Sequence, residues 1–453
     1  MSIEVAPAAT TRTITLLCTA AFMTMLDLFI VNVAFASIGV SYPGASLAGL
    51  SWVLNAYIVV YAACLIPAGS LADRYGRRRA FLFGLGLFTI ASVGCAVAPT
   101  LGFLIAFRTA QAVGAAVLTP ASLGLILSVL PESRRGGAVK IWATSSSFAG
   151  ALGPVVGGVL AQTSWRWAFL LNLPIGLIAF LLARRLLPGS TPPSRTRVPD
   201  PVGSLAVAVA IGALSLGLVS ADDWGWVSPR MLLTAVITVA ASALLVHRVR
   251  THPVPVMAPG LFRAPGFTAA NVTILIFTSA FSAVFLSVAL WLQVAAGYGP
   301  LRAGLALVPG PLMVPLFASL TQRWAADVPV RLVVSAGLAV FGAGALLLAA
   351  RSGGHYATDV LPAWMIIGAG IGIAMPTLIG AATAGLAPAA AATGSAVVNT
   401  ARQAGYAVGV AALVAILGSA VTVPALRHGW LLVAALVLVS AATALRIKAG
   451  ERR

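Results

Sequence analysis

Two charges stand where the chain is otherwise apolar. Asp27 lies within Phe22-Met23-Thr24-Met25-Leu26-Asp27-Leu28-Phe29-Ile30-Val31-Asn32, and Arg108 within Phe107-Arg108-Thr109-Ala110-Gln111. An ionised side chain at the centre of a bilayer costs about 2.5 to 3.5 kcal/mol on insertion scales, so such residues pair, face a watery cavity or move protons. Desolvation penalises the charged carboxylate, which makes Asp27 a candidate for binding and releasing a proton; permanent pairing with Arg108 is the other expectation. The amides of Asn32 and Gln111 stand close by in sequence. Arg402, in Asn399-Thr400-Ala401-Arg402-Gln403, is a second in-span cation with no acidic residue in its own helix; Gln293, Asn399 and Arg402 are the second-half candidates.

The elements that must hold these residues are membrane helices. The 453-residue chain is 60% hydrophobic and 8% charged, with mean hydropathy +1.01. Soluble domains carry about a quarter charged residues, so the composition implies an all-α polytopic membrane protein. A span needs about 20 apolar residues. Fourteen are expected, near 13–33, 48–68, 80–98, 102–128, 138–161, 168–187, 202–220, 230–247, 267–291, 303–321, 331–350, 361–382, 394–418 and 429–446. Ala34-Phe35-Ala36 imitates a signal-peptidase site, but the run before it is too long for a signal and reads as an uncleaved first span. Pro188 to Pro201 and Arg248 to Pro265 read as linkers around two spans. The expected organisation is a six-helix bundle in residues 1–190, linkers and an inserted two-helix hairpin in 191–265, and a second six-helix bundle in 266–453. Ala318-Ser319-Leu320-Thr321-Gln322-Arg323-Trp324 faintly echoes Gly69 to Tyr75, as two similar halves would require.

Charge supplies the orientation. The net charge of +18 would suggest nucleic acid in a soluble protein, but the basic residues sit in short loops, mostly on alternate sides of successive spans. That pattern places those loops and both termini in the cytoplasm, with anionic lipid rather than nucleic acid as the basic residues' partner. The densest loop is Gly69-Ser70-Leu71-Ala72-Asp73-Arg74-Tyr75-Gly76-Arg77-Arg78-Arg79. There Gly69 permits close helix approach, Gly76 a tight turn, and Asp73 an ion pair or a helix cap. Cys18, Cys64 and Cys95 lie in apolar segments and read as core residues. Neither a metal site nor a cofactor is expected. Paired carboxylates, a histidine cluster, a nucleophile elbow and a phosphate loop are all missing from the sequence, which argues against an enzyme and against direct ATP coupling.

Three stretches carry a family resemblance. The loop from Gly69 to Arg79 resembles the G-x-L-a-D-r-x-G-r-[rk]-x loop of the major facilitator superfamily, and Arg108 to Ala116 resembles its span-four pattern with Ala112 at the first glycine. Gly153-Pro154-Val155-Val156-Gly157-Gly158 is similar to the G-P-x-x-G-G motif of the superfamily's antiporters. Leu26-Asp27-Leu28-Phe29-Ile30-Val31-Asn32-Val33-Ala34 looks like the first span of its fourteen-span drug:proton antiporter branch, with Phe29 where threonine is usual.

The resemblance implies the major-facilitator fold and alternating access, with protons flowing in as a small hydrophobic drug or antibiotic leaves across the cell (inner) membrane. It assigns proton coupling or substrate contact to Asp27, Asn32, Arg108 and Gln111. It assigns a conformational latch to Gly69, Asp73, Arg74, Gly76 and Arg77, and the antiporter motif to Gly153, Pro154, Gly157 and Gly158. A monomer is the expected working unit. A dedicated exporter of one metabolite, siderophore or self-made antibiotic is the alternative, and a non-transporting membrane receptor is disfavoured by the short loops.

Overall fold

The computed structural model describes residues 7–130, 132–187, 200–325, 327–351, 355–384, 386 and 391–447. Among them the regular structure is helical, and thirteen helices are long and apolar enough to cross a membrane. Helices suit that setting because every interior peptide group finds its partner within the segment.

The first part of the chain forms α1 (Pro7–Ser41), α2 (Leu47–Tyr75), α3 (Arg77–Ala96), α4 (Leu101–Val129), α5 (Glu132–Thr163), the short α6 (Arg166–Leu170) and α7 (Asn172–Leu186). Then come α8 (Pro201–Val219), the short α9 (Ala221–Trp224) and α10 (Pro229–Thr251). The last part holds α11 (Phe267–Leu290), extended by a π turn over Trp291–Ala295, then α12 (Pro300–Leu307), α13 (Pro309–Trp324), α14 (Val330–Ala350), α15 (Leu361–Ala384), α16 (Ala391–Leu417) and α17 (Val423–Ala444). The span expected at 138–161 falls within α5, Glu132–Thr163. Most of the linker expected at Pro188 to Pro201 lies outside the described residues, as do the basic residues Arg195, Arg197, Lys448, Arg452 and Arg453.

Helix ends follow local chemistry. Ser46, Thr100, Ser228 and Thr422 each accept a backbone N–H of the first turn of α2, α4, α10 and α17, the usual work of an N-cap hydroxyl. Gly76 joins α2 to α3 at φ 101°, a backbone region that a Cβ makes costly.

Helix crossings rest on glycine. A methyl added at Gly84 in α3 would stand 2.9 Å from the Gly114 carbonyl oxygen in α4, and one at Gly114 would stand 2.7 Å from the Phe88 nitrogen. The later pair α14 and α15 cross the same way, since a methyl at Gly337 would stand 2.9 Å from the Gly370 carbonyl oxygen, and one at Gly370 would strike the Phe341 nitrogen. Phe88 follows Gly84 by the interval at which Phe341 follows Gly337. Small residues let backbones approach closely where lipid offers no hydrophobic drive for association.

The helices before and after α8–α10 meet along two seams, α5 with α12 and α2 with α16. In the first, a methyl at Gly158 would stand 2.7 Å from the Pro300 carbonyl oxygen, and one at Gly304 would strike that of Pro154. In the second, Thr400 approaches the Ala62 carbonyl, while Ala411 and Val414 pack with Leu47, Ala48 and Trp52. Helix α8 leans on both α2 and α16 and carries α10 on its outer side. Only 11% of the α10 span is buried against protein, compared with 78% for α11, so α10 is a lipid-facing element.

Candidate functional site

Helices α1, α3, α4 and α7 pack closely and bring five polar side chains into one buried cluster. Asp27 Oδ2 accepts from Arg108 Nη1 at 2.5 Å. Its Oδ1 accepts from the amides of Gln111 and Asn172, each at 2.9 Å. The same two amides donate to Ser92 Oγ at 2.8 and 3.3 Å, and Ser92 donates to the Phe88 carbonyl. Arg108 Nη1 also reaches Gln111 Oε1 at 2.7 Å, and its Nε donates to the Val53 carbonyl at 3.0 Å. The guanidinium lies over the Tyr57 ring, 4.2 Å from the centroid. Asp27 is 1% exposed and Arg108 is fully buried.

Arg108, Gln111 and Asn172 each donate to Asp27, which is the hydrogen bonding a carboxylate requires. Removal of two charges from water is offset only when geometry and extra hydrogen bonds are good, and the two amides with Ser92 supply those bonds. A proton arriving at Asp27 would cancel the charge that holds Arg108. The cluster can therefore act as a charge-controlled clamp between α1 and α4.

The sequence candidates fall into distinct places. Asp27, Arg108 and Gln111 are joined as described. Asn32 donates to Leu28 O and faces a small void of about 30 Å³ between α1, α2, α11 and α16, together with Phe29, Ile58, Phe281, Phe285 and Tyr406. That is room for a water molecule. Arg402 Nη1 reaches Asn399 Oδ1 at 3.2 Å, within α16. Gln293 bonds locally to the Ala289 carbonyl. Tyr57, Phe277 and Trp291 are buried in the core.

The arginine-rich loop is braced within the first half. Asp73 pairs with Arg77 at 2.7 Å, and Arg77 continues to the Gly124 carbonyl of α4 at 2.7 Å. Gly69 faces Pro120, Arg74 lies over the Tyr75 ring, and Arg78 donates to the Arg184 carbonyl near the end of α7. The G-P-x-x-G-G stretch forms a seam. Gly153 seats the Phe29 side chain, Gly157 faces the Ile30 backbone, and Pro154 and Gly158 meet the second half at Gly304 and Pro300. Phe29 then touches Phe285 edge-on, with centroids 5.4 Å apart.

Two cluster members, Asn172 and Ser92, escape a reading by charge. Asn172 had one signal, an amide in the otherwise apolar run Ala168-Phe169-Leu170-Leu171-Asn172-Leu173-Pro174. Ser92 had none, because serine is ordinary in membrane helices.

Comparison with known proteins gives the geometry a family. The sequence model of the Major Facilitator Superfamily matches residues 17–410. The Methylenomycin A resistance protein of Streptomyces coelicolor is 35% identical over 402 residues, covering 88% of this chain and 84% of that one. The Cephamycin export protein CmcT of Amycolatopsis lactamdurans is 32% identical, covering 90% and 85%, and the Multidrug resistance protein Stp of Mycobacterium tuberculosis is 31% identical, covering 87% and 74%. Among solved structures, a D-xylose-proton symporter superposes with a TM-score of 0.68 at 13% identity, covering 96% and 97% of the two chains. An auto-inhibited POT family peptide transporter does so with a TM-score of 0.68 at 17% identity, covering 97% and 96%. Such identities speak for the fold alone. With the helical architecture, the sequence-family match and close relatives in agreement, this multi-pass membrane protein belongs to the Major Facilitator Superfamily of transporters.

Proposed function

We propose that the chain is a proton-coupled exporter of hydrophobic drugs or antibiotics, working by alternating access in the cell (inner) membrane. In this reading fourteen spans form two six-helix bundles, residues 1–190 and 266–453, around the inserted hairpin of 191–265. Both termini are cytoplasmic and the monomer is the working unit. The names of the relatives support export, since they are called resistance and export proteins.

One observation carries the coupling. Asp27 is buried and held by Arg108, Gln111 and Asn172, while Phe29 and Asn32 on the same helix face the void between the halves. Protonation of Asp27 releases Arg108 and loosens α1 from α4. Because Phe29 is wedged between Gly153 of α5 and the ring of Phe285, a shift of α1 reaches the seam directly. Proton uptake from outside would open that seam, and release inside would restore the clamp. Asp73, Arg74, Gly76 and Arg77, with Gly69, brace the cytoplasmic ends of α2, α3 and α4 so that the half moves as one piece.

Purified protein in liposomes, with an imposed pH gradient and a panel of apolar drugs, tests this reading. Wild type is expected to move several compounds opposite to the proton flow, driven by the gradient, and Asp27→Asn to lose gradient-driven movement while still folding. Full gradient-driven transport in Asp27→Asn would sink the coupling role. Movement of a single compound would point to a dedicated exporter.

A further inference from the structure

We infer that the cavity between the halves takes its substrate by a carboxylate, with Arg402 as the anion-binding group. The inference rests on the exporter reading for its physiological cargo, but the binding itself can be measured without transport.

The argument begins with charge. Arg108 is neutralised by Asp27, whose two oxygens are both engaged by Arg108, Gln111 and Asn172. Arg402 has no such counterion among the described residues. Among the described residues its side-chain partners are neutral, Asn399 Oδ1 at 3.2 Å and the Tyr406 hydroxyl at a long 3.5 Å, and its Nε is buried with no acceptor. A guanidinium within a span is expected to find an anion, a carbonyl or water. A buried donor without an acceptor is unfavourable unless a ligand completes it.

The same molecule shows what completes such a group. Arg248 binds the carboxylate of Asp200 through Nε and Nη2, each at 2.7 Å. That edge of the guanidinium matches the two oxygens of a carboxylate. In Arg402 this edge carries the unpartnered Nε and an Nη2 whose contact is the distant Tyr406 hydroxyl.

Position supplies the remaining step. Arg402 lies one helical turn before Tyr406 in α16, and Tyr406 lines the void with Phe281, Phe285 and Ile58. A guest that enters as the halves part therefore meets apolar rings for its body and one unpaired cation for its head. The class that fits is an apolar carboxylic acid in its ionised form, ahead of an ester, an amine or a quaternary cation.

The test uses purified protein in detergent micelles, with protein-free micelles as the baseline, and three fluorescent probes of one skeleton. These are pyrenebutyrate, its methyl ester and pyrenebutylamine. Wild type is expected to bind the carboxylate at least about ten-fold more tightly than the ester, the scale of one well-formed charged hydrogen-bond pair. Arg402→Gln should erase that preference and leave ester affinity unchanged, while Arg402→Lys should keep part of it. Equal affinities for the three probes, a preference for the amine, or a carboxylate preference that survives Arg402→Gln overturns the proposal. If Arg402→Gln fails to fold, the wild-type ranking and Arg402→Lys decide. Arg402-dependent carboxylate binding without proton-driven transport would sink the exporter reading and leave this one standing. Proton-driven export without carboxylate preference would do the reverse.

Discussion

The two halves share a scaffold and fill it with opposite chemistry. Gly84 and Gly114 set the crossing of α3 and α4 as Gly337 and Gly370 set that of α14 and α15. Arg108 precedes Gly114 by the same interval as Trp364 precedes Gly370. In the first half that position carries a guanidinium bound to Asp27. In the second it carries an indole, whose N–H donates to the Leu307 carbonyl at 2.8 Å and whose ring lies against Phe285. Helix geometry thus comes from the glycines. The residue six positions before the second glycine decides whether the position holds a buried ion pair or a packed indole.

Removing one partner of the buried pair should produce the largest effect. Arg108→Leu leaves a carboxylate uncompensated in the membrane interior, a change that costs roughly 3–5 kcal/mol. The double change Asp27→Leu/Arg108→Leu imposes the apolar solution of the second half on the first, and should recover most of that loss while abolishing proton coupling. Denaturant unfolding of the three proteins in one detergent measures it. A double variant as unstable as the single one would show that the ion pair does more than balance its own charge.

The shared scaffold predicts equal effects at equivalent glycines. Gly84→Ala and Gly337→Ala each force a methyl to within 2.9 Å of a carbonyl oxygen on the facing helix. Overpacking of this kind costs about 1–3 kcal/mol. The two variants should lose similar stability, and a large loss in one half alone would break the equivalence. A smaller change sharpens the other side of the comparison. Trp364→Phe keeps most of the aromatic volume but leaves the Leu307 carbonyl without its donor, for a loss of about 1 kcal/mol. Proton-driven transport in that variant should retain its pH dependence, because the charge-carrying half is intact.

These contrasts explain what the sequence disclosed. Asp27 and Arg108 were legible because a charge in an apolar run is costly enough to demand a reason. Their contact was not determined by pattern, since many residues separate them. Asn172 and Ser92 join the cluster through helix facing, which one sequence leaves open. The echo was faint in the loop at Ala318 to Trp324, whereas the crossings at Gly84 and Gly337 match in their close glycine approaches. So many glycines occur in the chain that those few could be singled out only by what lies opposite them. The G-P-x-x-G-G stretch was readable as close packing, but its second partner, Gly304 of the other half, required the three-dimensional arrangement. Phe29 stands where the first span of the antiporter branch it resembles has threonine, and its ring fills the space between Gly153 and Phe285.

The smallest expected effect at neutral pH separates the buried pair from a second aspartate–arginine pair, which joins the start of α8 to the end of α10. Asp200 caps α8 through the Val202 N–H and pairs with Arg248 near the end of α10; its side chain is buried, while that of Arg248 is 28% exposed. The Arg248 hydrogen bonds lead the causes that hold the Asp200 carboxyl at about 2, below its ordinary 3.8. A carboxyl depressed by folding stabilises the fold fully above its unfolded value and loses that contribution as pH falls through its folded value. Asp200→Asn keeps a side-chain oxygen for the cap and removes the charge. Its melting temperature should therefore lie below that of wild type by a constant margin from neutral pH to about pH 5. The margin should then narrow as pH falls from 3.8 towards about 2. Melting curves across that range, followed by tryptophan fluorescence in detergent, give the test. A margin that stays constant down to pH 2 would mean that Asp200 acts through cap geometry and not through its charge, leaving Asp27 with Arg108 as the pair whose ionisation the fold depends on.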